Sequence, residues 1–186
     1  MSLKNAILGL LSIKPSTGYD IKTDFDNSIQ FIWNSDQTQI YKTLSEMIDE
    51  NLVSSTTVHQ NGKPSKKIYE ITETGKEQLR HWLLKPLKQK NQRNQDLLQF
   101  FFLGHLSNEE ILENLRRMKQ GIEMNLAALT IVEQGSGIFD PDDEAHRIRF
   151  FFRKALELGI MDAKMNLEWI TGIIHEIEEG GLDYGV

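Results

Sequence analysis

Ser35-Asp36-Gln37-Thr38-Gln39-Ile40-Tyr41-Lys42-Thr43-Leu44 opens the stretch, ending at Thr72, whose reading decides the fold. Asp36 is a good N-cap, and Gln39, three residues on, can reach back to it as in a capping box. Ile40, Leu44, Met47 and Ile48 share one stripe, so a helix runs to about Glu50 with that stripe buried. Gln37, Thr38, Lys42 and Ser45 fall off the stripe and face outward. The pattern then changes. Val53 to His59 is rich in Thr, Ser and Val and reads as a strand. Asn61-Gly62 marks a hairpin tip, because both residues tolerate positive φ. Lys63, Lys66 and Lys67 follow the tip, and Ile68, Tyr69 and Ile71 return as the second strand.

On the N-terminal side, Leu3, Ile7, Leu10 and Leu11 follow helical spacing, and Lys14-Pro15 ends that helix. Ser16 or Thr17 caps a second helix with apolar positions Tyr19, Ile21 and Phe25. A loop containing Trp33 leads to the third helix. Beyond the hairpin, Thr72 or Thr74 caps a fourth, Thr74 with Glu77 forming a capping box; it carries Leu79, Trp82 and Leu83. Pro86 ends it, and Lys88 to Asn94 reads as a linker. Three helices and a cationic hairpin imply a winged helix-turn-helix, which puts polar residues of the third helix in a DNA groove and the hairpin on the phosphates.

The C-terminal half is helical by pattern. Leu97 to Leu103 is short and very apolar. Ser107 with Glu110 opens a helix striped by Ile111, Leu115, Met118, Ile122, Leu126 and Leu129, which Gly135-Ser136-Gly137 and Pro141 break. Asp142 and Asp143 suit the N-terminus of a final long helix. That helix sets Ile148, Phe152, Ala155, Gly159, Ile170, Ile173 and Ile177 near one side. Phe150, Phe151, Leu156, Leu158, Ile160, Met161, Leu167 and Trp169 lie on other sides. A helix apolar over most of its circumference needs cover from several directions. A second copy of the chain across a twofold axis supplies it; a compact three-helix bundle within one chain is the alternative. The expected fold class is mainly α with a small β-hairpin wing. It divides into a winged helix-turn-helix domain over residues 1–90 and a helical dimerisation and effector-responsive region over 95–180.

Net charge is −6 over 186 residues, which at first argues against nucleic acid. The acid is concentrated in the second half. Residues 1–90 hold 12 basic and 10 acidic side chains, net +2; residues 91–186 hold 9 and 17, net −8. A DNA-contacting face needs only local positive charge, because screening acts over about 8 Å at physiological salt. The absence of cysteine excludes disulfides, thiolate metal sites and a cysteine nucleophile, and it suits the cytoplasm. No apolar run approaches the roughly 20 residues of a membrane span. No nucleophile elbow, phosphate loop or His-Glu-x-x-His motif occurs, and the five histidines are not at metal-ligand spacing, so neither enzyme, cofactor nor metal is expected.

Several pieces match a family at specific spacings. They are Leu8-Gly9-Leu10-Leu11, Thr17-Gly18-Tyr19-Asp20-Ile21, Gln39-Ile40-Tyr41-Lys42-Thr43-Leu44 and Glu50-Asn51-Leu52-Val53. Gly62-Lys63-Pro64-Ser65-Lys66-Lys67-Ile68-Tyr69-Glu70-Ile71-Thr72 and the helix start at Thr72 to Lys76 complete the set. On these residues the chain resembles the PadR-family transcriptional regulators with a substantial helical C-terminal region. The match covers the first 90 residues; beyond them it is one of helical pattern. Lys42 departs from the proline many relatives have there and adds a cation beside the DNA face. The resemblance implies a homodimeric repressor that binds a dyad operator in double-stranded DNA and is released by a small molecule or another signal, with no membrane partner. A protein-interaction module on the same fold is the alternative.

By resemblance the Tyr19 hydroxyl holds a backbone phosphate near its helix N-terminus, with packing under the wing as the alternative role. Ser35, Gln37, Thr38 and Gln39 can read base edges, glutamine preferring adenine; for Ser35 and Gln39 capping alone is the alternative. Tyr41 and Lys42 are candidates for phosphate or groove contacts. Lys63, Lys66 and Lys67 should add salt-dependent affinity through counterion release. Leu115, Met118, Ile122, Leu126, Phe152, Ile170 and Ile173 are the candidate dimerisation residues. Trp33, Trp82, Phe100, Phe101 and Trp169 can line an effector pocket or form core.

Overall fold

The computed structural model describes residues 2–29, 32–33, 35–60, 63–86, 94–135 and 146–181, without the side chains of Ser2, Gln60, Lys63 and Pro64. The tip Asn61-Gly62, the linker over 88–93, the breaker Ser136-Gly137 with Pro141, and Asp142-Asp143 lie outside the described residues. The chain forms two compact units.

The first unit runs α1 (Ser2–Leu11), β1 (Ser16–Thr17), α2 (Gly18–Asp26), α3 (Gln37–Asp49), β2 (Val53–Gln60), β3 (Lys63–Ile71) and α4 (Glu73–Leu83). Its core gathers Ile7, Leu8, Ile21, Phe25, Ile40, Leu44, Met47 and Val53, each nearly or wholly buried. The spacing of Ile40, Leu44 and Met47 puts them on one face of α3, which turns inward and leaves Gln37, Thr38 and Lys42 outside. Tyr19 does not join Ile21 and Phe25 on the buried face of α2; it is 68% exposed. It sits in the helix's first turn, two positions before Ile21, a step of about 200° around the axis.

Caps set the boundaries. Thr17 and Asp20 form a reciprocal capping box at α2: the Thr17 Oγ1 accepts from the Asp20 amide at 3.1 Å, and Asp20 Oδ2 accepts from Thr17 N at 3.3 Å. Asp36 caps α3 by accepting the Gln39 amide at 2.8 Å. At α4 the cap is Thr72, which takes the Gly75 amide at 3.0 Å and donates to Asn51 O at 2.7 Å; Thr74 lies inside the helix and does not cap it. Asn51, at φ 55, closes α3 with bonds from its own amide to Ile48 O and from Leu52 N to Met47 O. This pattern is a Schellman motif, for which asparagine is the usual substitute for glycine. It turns the chain from α3 directly into β2.

The sheet has three antiparallel strands in the order β1-β3-β2. The two-residue β1 was not foreseen: it lays Ser16 against Tyr69 and Thr17 against Ile68. The wing is thereby fastened to the start of α2, on the edge of β3 opposite β2.

The second unit holds α5 (Gln95–Phe101), a 3-10 turn (Leu103–His105), α6 (Asn108–Gly135) and α7 (His146–Glu178). The Ser107–Glu110 capping box opens α6 as expected, with Glu110 Oε2 accepting from Ser107 N at 2.9 Å. The last turns of α7 lie on the first turns of α6. Ile111, Leu115, Ile170 and Ile174 form one buried cluster, and Arg116 pairs with Glu178 at 2.7 Å. Phe100 packs on Trp169 with ring centroids 4.7 Å apart, which ties α5 to α7. Along α7 the buried residues are Leu156, Ile160, Ala163, Ile170 and Ile174, with half-buried Leu167 between them. Their steps of four and three make a 3.5-residue seam. Ile148, expected in the buried stripe, is exposed; Phe152, Ala155, Gly159, Ile173 and Ile177 flank the seam half-covered.

Candidate nucleic-acid interface

The first turn of α3 presents Gln37 and Thr38 as exposed side chains. Both have hydrogen-bonding groups and, among the described residues, no side-chain partner, so they remain free to meet base edges. Gln39 is also exposed, but its Oε1 accepts the Ser35 hydroxyl at 3.0 Å. Ser35 is itself buried, at 5% exposure. This corrects its assignment as a base reader: its hydroxyl is spent on Gln39 and braces the helix start. Gln39 takes that hydroxyl instead of reaching back to Asp36, so the capping box expected at α3 is only half formed.

Tyr41, one turn along α3, leans over the start of α2. A Cβ at Gly18 would lie 2.5 Å from Tyr41 Cε1 and 3.0 Å from its hydroxyl, so only a glycine leaves room for the ring where it stands. Around this close approach lies a hollow of about 400 Å³, lined by Thr17, Gly18, Tyr19, Asp20, Tyr41, Ser65, Lys66, Lys67 and Tyr69. Strand alternation puts Ser65, Lys67 and Tyr69 on one face of β3 and Lys66 on the other. The Lys67 ammonium stands 5.4 Å from the centroid of the Tyr69 ring, within range of a cation–π interaction. Ser65 Oγ lies 2.9 Å from His59 Nδ1, a cross-strand brace in the wing. Burial first, and the neighbouring Tyr41 second, raise the Tyr69 phenol above its ordinary value of 10.0, so it stays protonated and able to donate.

The structure thus brings together Tyr19, Tyr41, Lys66 and Lys67 from three separate elements. Lys42 is exposed on α3 but does not line the hollow, and the Lys63 side chain lies outside the described residues. Sequence reading missed Gly18, Ser65 and Tyr69. Alternation along Ser65-Lys66-Lys67-Ile68-Tyr69 was the signal that joins Tyr69 to Lys67; the approach of Gly18 to Tyr41 is long-range and had none.

Two candidate dimerisation residues need correction. Leu115 and Ile170 are fully buried inside the chain's own second unit and have no surface to offer a partner. Met118, Ile122, Leu126, Phe152 and Ile173 keep part of their surface. Of the aromatic candidates, Trp33, Trp82, Phe101 and Trp169 are substantially exposed, whereas Phe100 is partly covered against Trp169. No helix is long and apolar enough to cross a membrane, and no metal-binding cluster of His, Cys, Asp or Glu occurs, among the described residues.

Known proteins resemble this chain in sequence and in fold. Residues 7–81 match the transcriptional regulator PadR-like family, and residues 92–178 match a family described as the virulence activator alpha C-terminal region. The chain is 32% identical to the negative transcriptional regulator PadR of Bacillus subtilis over 129 residues, 68% of this chain and 70% of that protein. It is 42% identical over 87 residues to "Probable transcriptional regulator Rv1176c" of Mycobacterium tuberculosis; that match spans 47% of this chain and just under half, 46%, of the relative. The fold superposes on a crystal structure of Bacillus subtilis PadR in complex with operator DNA with a TM-score of 0.78, at 25% identity, covering 95% of this chain and 99% of that one. A structure of the same Bacillus protein in complex with p-coumaric acid aligns with a TM-score of 0.74 at 24% identity, over 96% of this chain and 99% of that one.

Proposed function

The chain belongs to the PadR-like family of transcriptional regulators, and from that premise we propose that it acts as a homodimer that grips a dyad operator and represses transcription until a small-molecule or other signal releases it. Residues 1–90 are the DNA-binding domain and residues 95–180 the dimerisation and effector-responsive domain. The observation that carries the reading is the exposed pair Gln37 and Thr38, whose side chains have no partner among the described residues, in the first turn of α3, one turn before Tyr41 on the hollow lined by Lys66 and Lys67. Gln37 and Thr38 read base edges in the major groove, while Tyr19, Tyr41, Lys42 and the wing lysines Lys63, Lys66 and Lys67 hold the backbone. Gln39 works mainly by fixing the helix start with Ser35. Repression and operator binding follow the Bacillus relative, and the cytoplasm is where such a regulator meets DNA.

Dimerisation is supported by what a single chain leaves bare. Phe150, Phe151, Leu158, Met161 and Met165 of α7, with Met124 and Ile131 of α6, are all largely exposed. A monomeric soluble surface rarely carries so much apolar area without a use for it. Met118, Ile122, Leu126, Phe152 and Ile173 are half-buried and keep part of their surface for a partner. A candidate for the effector site is a second, open hollow of about 530 Å³ along α5 and α6, with Phe100, Leu103, Met118 and Ile122 as apolar walls and Asp96, Gln99, Asn114, Arg117 and Asn125 as polar ones. Its volume falls in the range of small-molecule sites. A ligand there that favours one dimer geometry shifts the population away from the DNA-competent form.

The test is a mobility-shift titration of the full chain against the DNA upstream of its own gene, at moderate salt and again at higher salt. Retarded DNA whose affinity falls steeply with salt supports the reading. A chain that is dimeric in solution but leaves such DNA unshifted contradicts it and restores the protein-interaction alternative, which the relatives do not favour.

A further inference from the structure

α3 carries an unexpected charge for a helix that meets DNA. From Asp36 to Glu50 its one cation is Lys42, set against the carboxylates of Asp36, Glu46, Asp49 and Glu50. Lys42 and Glu46 are four residues apart, on neighbouring turns of one side of the helix, where opposite charges ordinarily pair. The same order at the same spacing closes in α2, where Lys22 pairs with Asp26. In α3 it stays open, because Glu46 is engaged from another helix. The Lys4 ammonium of α1 lies 3.4 Å from Glu46 Oε2 and donates to Glu50 Oε1 at 2.6 Å. Lys42 is exposed and has no ion pair among the described residues.

Stability is a weak reason for this exchange of partners. Glu46 and Glu50 are about half exposed, and ion pairs so open to water add little to stability. The exchange matters more for which cation is left over. We propose that Lys4 is a positioning residue for DNA binding: by holding Glu46 it keeps Lys42 unpaired and available to the duplex. This role rests on the DNA-binding reading and extends it to a residue of α1, outside both the third helix and the wing. Without Lys4, Glu46 would turn to Lys42, and a cation exposed beside Thr38 and Ser45 would be neutralised within its own helix. The bond to Glu50 is the largest cause holding the Lys4 ammonium above its ordinary 10.5; burial opposes it, and Glu46 adds to it. Lys4 therefore keeps its charge, and its hold on Glu46, through the neutral range.

The test is a double-mutant cycle on an operator selected from random duplexes, read by fluorescence anisotropy with the full chain. Lys4→Met and Lys42→Met should each weaken binding about tenfold, the scale of a hydrogen bond to a charged group. The double variant should bind no more weakly than Lys42→Met alone. Glu46→Gln should restore Lys4→Met to near wild-type affinity, and Lys4→Arg should need no rescue. An ion pair that only braces α1 on α3 gives additive losses that Glu46→Gln does not repair. NMR of the lysine side chains reads the exchange without DNA. Titration of Glu46 should move the Lys4 resonances in wild type and the Lys42 resonances in Lys4→Met. Additive losses, failure of the rescue, or Lys42 resonances indifferent to Glu46 in Lys4→Met would overturn the proposal and leave DNA binding standing. Wild type that selects no duplex would defeat the DNA-binding reading and this role for Lys4 with it.

Discussion

The ring of Tyr41 rests on the backbone of Gly18: a Cβ at Gly18 would come within 2.5 Å of Tyr41 Cε1. One residue opens α2 and the other projects from α3, so their packing sets how the two helices of the DNA-binding motif meet the wing. Gly18 does not have a positive φ, so its requirement is for space and not for backbone freedom. Gly18→Ala should therefore fold, displace Tyr41 and cost about 1–2 kcal/mol of operator binding, the order of one disturbed hydrogen bond. Parallel fluorescence-anisotropy and thermal-melting measurements check it. Full affinity in the alanine variant would show that Tyr41's position is unimportant.

Gln37→Ala or Thr38→Ala should relax specificity at one base position, by about 1–3 kcal/mol where a bidentate hydrogen-bond pair is removed, with little change in nonspecific affinity. Lys66→Ala with Lys67→Ala should act differently, lowering affinity across all sequences. It should also flatten the plot of log affinity against log salt, by about one unit for each phosphate no longer neutralised. Binding measured on a panel of single-base operator variants at several salt concentrations separates the two effects.

The second unit offers a contrast between its own core and its bare surface. Leu115→Ala should destabilise the chain by about 2–5 kcal/mol, because Leu115 is fully buried among Ile111, Ile170 and Ile174. Phe151→Glu with Leu158→Glu should leave the helices formed and convert dimer to monomer in sedimentation, since both side chains are two-thirds exposed. A dimer unaffected by the two glutamates would place the subunit interface elsewhere.

Glu110 supplies the pH dependence. Its carboxylate accepts from the backbone amide of Ser107 and then from its hydroxyl, which lowers its pKa below the ordinary 4.5. A carboxylate with a depressed folded pKa contributes stability above its unfolded value and loses it as pH falls through the folded one. The start of α6 should therefore fray only below about pH 4.5, and Glu110→Gln should show a weaker acid dependence there. Hydrogen exchange at the first-turn amides of α6, measured across that range, reads the effect.

Much of the fold was legible because it rests on periodicity and caps. Ile40, Leu44 and Met47 lie on the predicted stripe, and the capping box at Ser107–Glu110 formed as spaced. Other features depend on partners distant in sequence. A two-residue strand such as Ser16-Thr17 has no period to detect. Thr72 outcompeted Thr74 for the cap because the Asn51 carbonyl was waiting for its hydroxyl. Ser35, given as a base reader with capping as the alternative, is buried, since a small serine suits either environment, while Tyr19, read both as an apolar position of α2 and as a phosphate contact, is exposed. Apolar spacing identified Leu115 and Ile170 as residues needing cover. It did not say that the same chain would cover them. The recognition turn was readable because Gln37 and Thr38 fall off the stripe, whereas the Gly18–Tyr41–Tyr69 grouping required the folded sheet.

Two copies of this chain should present their α3 tips to successive turns of one duplex. Selection of bound sequences from random duplex DNA by the full chain tests this most directly. The expected result is an inverted repeat whose half-sites are centred about 10 base pairs apart or a multiple of that, with Gln37→Ala blurring the same position in both halves. Enrichment of no repeat, or of a single unpaired site, by protein that is dimeric in the same buffer would contradict it.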